Sequence, residues 1–134
     1  MEKAAGREEG DGREVMGVSI RPIRIRLRAV PMGDDLALLI SGGREHIGAV
    51  ATAYREGDGV KVETHVLPGH REGELAAETA RLAALSLNCT VTVAMGIHQD
   101  EATREEIDHI VGTVRRLVEK ELGRRGFRNA ENRS

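Results

Sequence analysis

Aromatic side chains are nearly missing from this chain: its 134 residues include one Phe, one Tyr and no Trp. Its core must therefore be aliphatic, and recognition of nucleobases on an aromatic platform is excluded. Cysteine occurs once, as Cys89, so no internal disulfide can form, which fits a reducing cytoplasm. No apolar run approaches the roughly 18 residues that cross a bilayer, so no membrane association is expected. The opening MEKAAGREEGDGREVMG lacks the apolar centre of a signal peptide. A net charge of −2 exerts no global pull on nucleic acid or anionic lipid.

What is present is an ordinary soluble balance of 40% hydrophobic and 31% charged residues, in a length that suits one domain. Residues 1–17, rich in Gly, Glu and Arg, bury too little to offset ordering entropy and read as a disordered tail. Residues 124–134 read the same way. A single domain over 18–123 remains.

Within it, IRPIRIRLRAV alternates Ile23, Ile25, Leu27 and Ala29 with Arg24, Arg26 and Arg28, which is strand periodicity. The arginine row has a phosphate-facing reading, outweighed by a solvated face that discourages edge pairing. DLALLISGG, IGAVATAYR and GVKVETHVL read as further strands joined by short turns, which predicts an antiparallel meander. ELAAETARLAALSLN predicts a helix burying Leu75, Ala76, Thr79, Leu82, Ala83 and Ser86. CTVTVAMGI is a fifth strand, beginning at a Cys89 that reads as a buried small hydrophobe. TREEIDHIVGTVRRLVEKEL opens with a capping box, Thr103 and Glu106, and carries the stripe Ile107, Ile110, Val111, Val114, Leu117, Val118 and Leu122. The expected fold is α+β: a meander followed by α-β-α, with both helices on one face of a single sheet. The uncovered face makes a homodimer an expectation.

Three glycine-marked junctions interrupt this scaffold, and each carries a histidine: His46, His70 and His98. With Asp100, Glu72 and Glu74 they suffice for a divalent metal or for acid–base chemistry, although no HExxH or CxxC spacing supports either. A loop histidine is more often solvated than ligating. The helix starts, near His70-Arg71 and at Thr103, are candidate anion sites through their free N–H groups. Walker and GxSxG patterns are absent, which leaves no nucleoside-triphosphate or serine-hydrolase template.

The runs GGREHIGAVA, LPGHREGELA and GIHQDEATREEI together resemble the small accessory proteins of the LpdD type. These accompany prenylated-flavin-dependent (UbiD-type) hydroxyarylic acid decarboxylases, and the resemblance spans about residues 20–122. It implies a fold like that of proteasome assembly chaperones. It also implies a non-catalytic carrier of prenylated FMN acting between a flavin prenyltransferase and the decarboxylase. Gly42, Gly43, His46, Pro68, Gly69, His70, Glu72, Gly96, His98, Asp100 and Thr103 occupy the matching motif positions, with His46, His70 and His98 as metal-ligand candidates. Ile47, Ile97 or Met95 would have to sandwich the flavin in place of aromatic rings. Two other readings stand beside this one: a small metal-dependent hydrolase or isomerase using the three histidines, and an assembly chaperone acting only through a protein interface.

Overall fold

Alternation of small and branched apolar residues with polar ones generates most of the strands. The structure, a computed structural model, describes residues 5–9, 13–15 and 18–133, with side chains described from Ser19 to Gly126. The strands are β1 (Ala5–Glu9), β2 (Arg13–Val15), β3 (Val18–Ile20), β4 (Ile25–Met32), β5 (Asp35–Gly43), β6 (Ala49–Glu56), β7 (Gly59–Val66) and β8 (Val91–His98). Helix α1 (Gly73–Leu87) precedes β8 and helix α2 (Arg104–Arg133) follows it. In β4 the alternation works as read: Ile25, Leu27 and Ala29 are fully buried while Arg24, Arg26 and Arg28 point outward.

The α+β class and the packing of both helices over one sheet face follow the expectation, but the strand order is not a simple meander. The main sheet runs β1-β4-β5-β8-β6-β7, with β8 parallel to β5 and antiparallel to β6. Two hairpins, β4–β5 and β6–β7, are thus separated by the last strand of the chain. The segment 44–48 has to cross the inserted strand, a span of roughly 10 Å at the usual strand spacing, and it is long enough to do so. Neighbours in sequence pair by default; here β8 displaces that pairing. Its inward residues Val91, Val93 and Met95 are fully buried, as suits a central strand.

The inward rows of β4, β5, β6 and β8 meet Ala76, Ala80, Ala83 and Ala84 of α1 and Ile110, Val114, Leu117, Val118 and Leu122 of α2. The alanines let α1 lie close to the sheet, so its buried face is centred on them. Leu82, expected inside, is 43% exposed, and Ser86 is exposed as well. Ile107, at the outer margin of the α2 stripe, is likewise exposed. Among the described residues no helix covers the second sheet face, where Leu39 is exposed and Thr52 hydrogen-bonds Thr92 at 2.9 Å.

The chain ends also differ from expectation. Residues 1–4, 10–12, 16–17 and 134 lie outside the described residues. The rest of the expected N-terminal tail forms β1, antiparallel to β4, and β2, paired with β3. An edge strand needs only backbone partners, so poverty in apolar side chains does not preclude it. Helix α2 runs on past residue 123 to Arg133. Its continuation is anchored at Glu121, a fully buried carboxylate that accepts hydrogen bonds from Arg124 at 2.9 Å and Arg125 at 2.8 Å.

Truncating the α2 stripe tests this packing. Ile110→Ala should destabilise the protein by about 2–5 kcal/mol in chemical denaturation, through loss of buried area and the cavity left behind. An unchanged midpoint would mean that α2 does not seal the core.

Candidate functional site

Glycines determine how the three polar junctions meet. The parallel strands β5 and β8 end side by side, with Gly43 opposite His98 in register. Gly43 has φ +64°, and a Cβ there would lie 2.0 Å from the carbonyl oxygen of His98. Arg44 N–H donates to that same oxygen at 3.2 Å. At Gly96, two residues earlier in β8, a Cβ would lie 1.5 Å from the carbonyl oxygen of His46. The 44–48 segment therefore rests directly on the backbone of β8, and only glycine permits it.

The same segment receives the second junction. Gly48 N–H donates to Met95 O at 2.9 Å, and its own carbonyl accepts from Leu67 N–H at 2.9 Å. His70 N–H closes a turn onto Leu67 O at 3.2 Å, with Gly69 at φ +80°. A side chain at Gly48 would come within 2.6 Å of Glu72 Oε2 and 2.9 Å of His70 Nδ1, so that glycine leaves the room they occupy.

The side chains then converge. His46 Nε2 lies 3.1 Å from His70 Nδ1, and His70 Nδ1 lies 3.6 Å from Glu72 Oε2. All three residues are half-buried. His46 Nδ1 is 2.8 Å from the carbonyl oxygen of Arg44, which can only accept, so Nδ1 carries the proton and Nε2 offers its lone pair. The His46 ring is 4.6 Å from that of His70 and 6.1 Å, edge-on, from that of His98. His98 donates from Nε2 to Asp100 Oδ1 at 2.7 Å. That bond, with Arg44 nearby, holds the Asp100 carboxyl below its ordinary pKa.

On the other side of His98 opens a cleft of about 320 Å³ lined by Arg24, Arg26, Ser41, Glu45, His98 and Gln99, among others. Ser41 Oγ–H donates to the Glu45 carboxylate. Gln99 Oε1 is buried without a hydrogen-bond partner among the described residues. The cleft is the more cationic neighbour of the histidine group, since two of the strand arginines reach it.

The loop after His98 is fixed from α2. Thr103 and Glu106 form the expected capping box: Thr103 N–H donates to Glu106 Oε1 at 2.9 Å and Glu106 N–H to Thr103 Oγ1 at 3.1 Å. Glu106 is also gripped by Arg21, whose Nε and Nη2 donate at 2.9 Å and 2.9 Å, and Arg21 Nη2 reaches Asp100 O at 2.9 Å. The Arg21 hydrogen bond, followed by those from the Thr103 and Arg21 backbone N–H groups, holds the Glu106 carboxyl far below the usual carboxylate range.

Of the residues selected from the sequence, His46, His70 and Glu72 form one cluster, with His98 and Asp100 adjoining it. His98 lies outside the group of three whose potential ligand atoms converge, and Glu72 stands in its place. Gly43, Gly69 and Gly96 act through the backbone. Gly42 is packed against Ile25, where a Cβ would lie 2.7 Å from Cδ1. Thr103 is spent on the helix cap. At α2 the capping-box carboxylate of Glu106 already occupies the helix start, whereas at α1 Glu72 makes no side-chain cap bond and accepts instead from Arg71 N–H, ahead of the helix, at 3.2 Å. Cys89 is half-buried, and desolvation, then Asp35, pushes its thiol pKa up, away from nucleophilic use. Arg21, Ser41, Glu45 and Gln99 are not singled out by the sequence: Glu45 and Gln99 lie inside the motif runs, but neither their type nor their spacing marks them as site residues.

The profile of the prenylated flavin chaperone LpdD-like domain matches residues 19–124, and the chain belongs to that family. Among curated proteins no sequence matches it. Among solved structures it is similar to a chain in "Crystal Structure of a Novel Chaperone Complex for Yeast 20S Proteasome Assembly", with 13% identity, coverage of 87% of this chain and 98% of that one, and a TM-score of 0.45. Among the described residues no helix is long and apolar enough to cross a membrane.

Two substitutions test the construction. Gly96→Ala should lower stability by about 1–3 kcal/mol in thermal or chemical denaturation, because the 44–48 segment must lift from β8; a neutral effect would show that the close approach is not needed. Glu106 has a folded-state pKa below its unfolded value, so its contribution is complete at neutral pH and fades as pH falls from about 5 toward 2. Wild type should exceed Glu106→Gln in melting temperature at pH 7, with the gap closing on acidification; a gap independent of pH would remove the Arg21–Glu106 pair from this role.

Proposed function

We propose that the chain is a non-catalytic carrier of prenylated FMN, holding the reduced cofactor between a flavin prenyltransferase and a UbiD-type decarboxylase. The observation that carries the reading is the convergence of three separate junctions on one site, in a chain of the prenylated flavin chaperone LpdD-like family.

The residues fit such a ligand. Arg24 and Arg26 at the cleft supply cationic N–H donors for the phosphate. His98, shared by cleft and histidine group, supplies a polar contact for the edge of the ring system. Ile23 lines the cleft and Ile97 is half-buried next to it in sequence, so aliphatic contact replaces aromatic stacking. Met95 is not available for this, being fully buried in the core. The prenylated flavin supplies decarboxylation chemistry in the receiving enzyme, and a carrier contributes only retention and release. The uncovered sheet face suits contact with partner proteins or a second copy, and a single cysteine suits the cytoplasm. A metal-dependent hydrolase or isomerase remains the second reading, favoured by the His46–His70–Glu72 group.

Anaerobic titration of the full chain with reduced prenylated FMN and, separately, FMN decides between them, read by fluorescence and native mass spectrometry. The prenylated flavin should bind preferentially, and His98→Ala should weaken it by at least about tenfold, a loss of roughly 1.4 kcal/mol. His65→Ala, on exposed β7, should not. Absence of binding to either flavin would overturn the carrier reading.

A further inference from the structure

We infer that His46 Nε2, His70 Nδ1 and a Glu72 carboxylate oxygen form a binding site for a first-row divalent cation of the zinc type. Among the described residues these ligand atoms all lie within 4.8 Å of one another, and no other set of three does so.

Three independent features point to a cation. The first is spacing. Ligand atoms held about 2.0–2.1 Å from one tetrahedral ion stand roughly 3.3 Å apart. Two of the three separations, 3.1 Å for His46 Nε2 to His70 Nδ1 and 3.6 Å for His70 Nδ1 to Glu72 Oε2, bracket that edge, and the third lies within 4.8 Å. The second is orientation. His46 Nδ1–H is committed to the Arg44 carbonyl at 2.8 Å, which is how ligating histidines are held in the tautomer that presents the other nitrogen. The third is the space. Gly48 faces Glu72 Oε2 and His70 Nδ1, and any side chain there would enter the gap between the ligands.

The donor set selects the ion class. Two imidazole nitrogens and one carboxylate suit zinc, cobalt or iron(II) better than calcium or magnesium, which prefer all-oxygen shells. With three protein ligands, a fourth position stays open for water or an anionic oxygen. His98 stands outside the set because its Nε2 is engaged by Asp100. The site does not depend on the flavin reading, and a metal-holding protein without affinity for flavin would leave it intact.

The test uses the full chain, stripped with chelator and titrated with Co²⁺ and Zn²⁺, followed by cobalt absorption in the visible and by native mass spectrometry. One ion per chain should bind, with the visible bands of a four-coordinate nitrogen–oxygen site. His70→Ala and Glu72→Gln should each lower affinity by at least about tenfold. Glu72 makes no side-chain cap bond at α1, so Glu72→Gln should fold normally, as circular dichroism would verify. His98→Ala should keep the one-to-one stoichiometry. Absence of stoichiometric binding would overturn the inference, as would a site lost in His98→Ala and kept in Glu72→Gln.

Discussion

Close backbone contact through glycine between the β5–β6 connection and strand β8 is the constraint on which the site depends. Gly96 lies beneath the carbonyl of His46 and Gly43 beneath that of His98, so two chain segments touch where any side chain would hold them apart. From those two contacts follows the placement of His46. The backbone bonds of Gly48 to Met95 and Leu67 then bring the turn carrying His70 and Glu72 onto the same patch. The site is thus mostly a consequence of strand order: without β8 between the hairpins, the GIHQD junction would be remote from the other two.

Rigidity is supplied from behind. The α1 alanines and the α2 stripe hold the sheet, and Arg21 with Glu106 ties the start of α2 to the loop that carries Asp100. Buried Glu106 is costly unless paired, and here both carboxylate oxygens are satisfied, one by the cap and Arg21, the other by Arg21. The converging side chains occupy loops and a strand end, while their positions are set by the strands and helix ends around them, the division of labour expected of a binding scaffold.

Much of this was legible in the chain itself. Period-two alternation locates β4 and β7, apolar or β-branched runs between turn signals locate β5, β6 and β8, and the Thr103–Glu106 spacing locates the start of α2, because those signals are local. The partner of β8 was not legible, since a buried strand reads alike whether it pairs at an edge or at the centre. The three junction histidines were identifiable from their glycine neighbours, yet which atoms converge was not. His98 looked equivalent to His46 and His70 in sequence, and only the structure shows Glu72 as the third converging group and His98 turned to Asp100. Arg21 and Ser41 sit outside the three motif runs and Gln99 inside one of them, and their place at the site comes from tertiary packing alone. Ala76, Thr79 and Ala83 of the expected α1 face are buried, but Leu82 is not, because close helix–sheet packing favours the smaller residue over the more apolar one.

The central claim is that three junctions make one ligand site. Imidazole ¹⁵N NMR of the full chain, recorded anaerobically before and after adding reduced prenylated FMN, tests it most directly. The expected result is joint perturbation of His46, His70 and His98 with His65 and His109 unmoved. Perturbation confined to residues of the uncovered sheet face, with the three junction histidines unchanged, would contradict it.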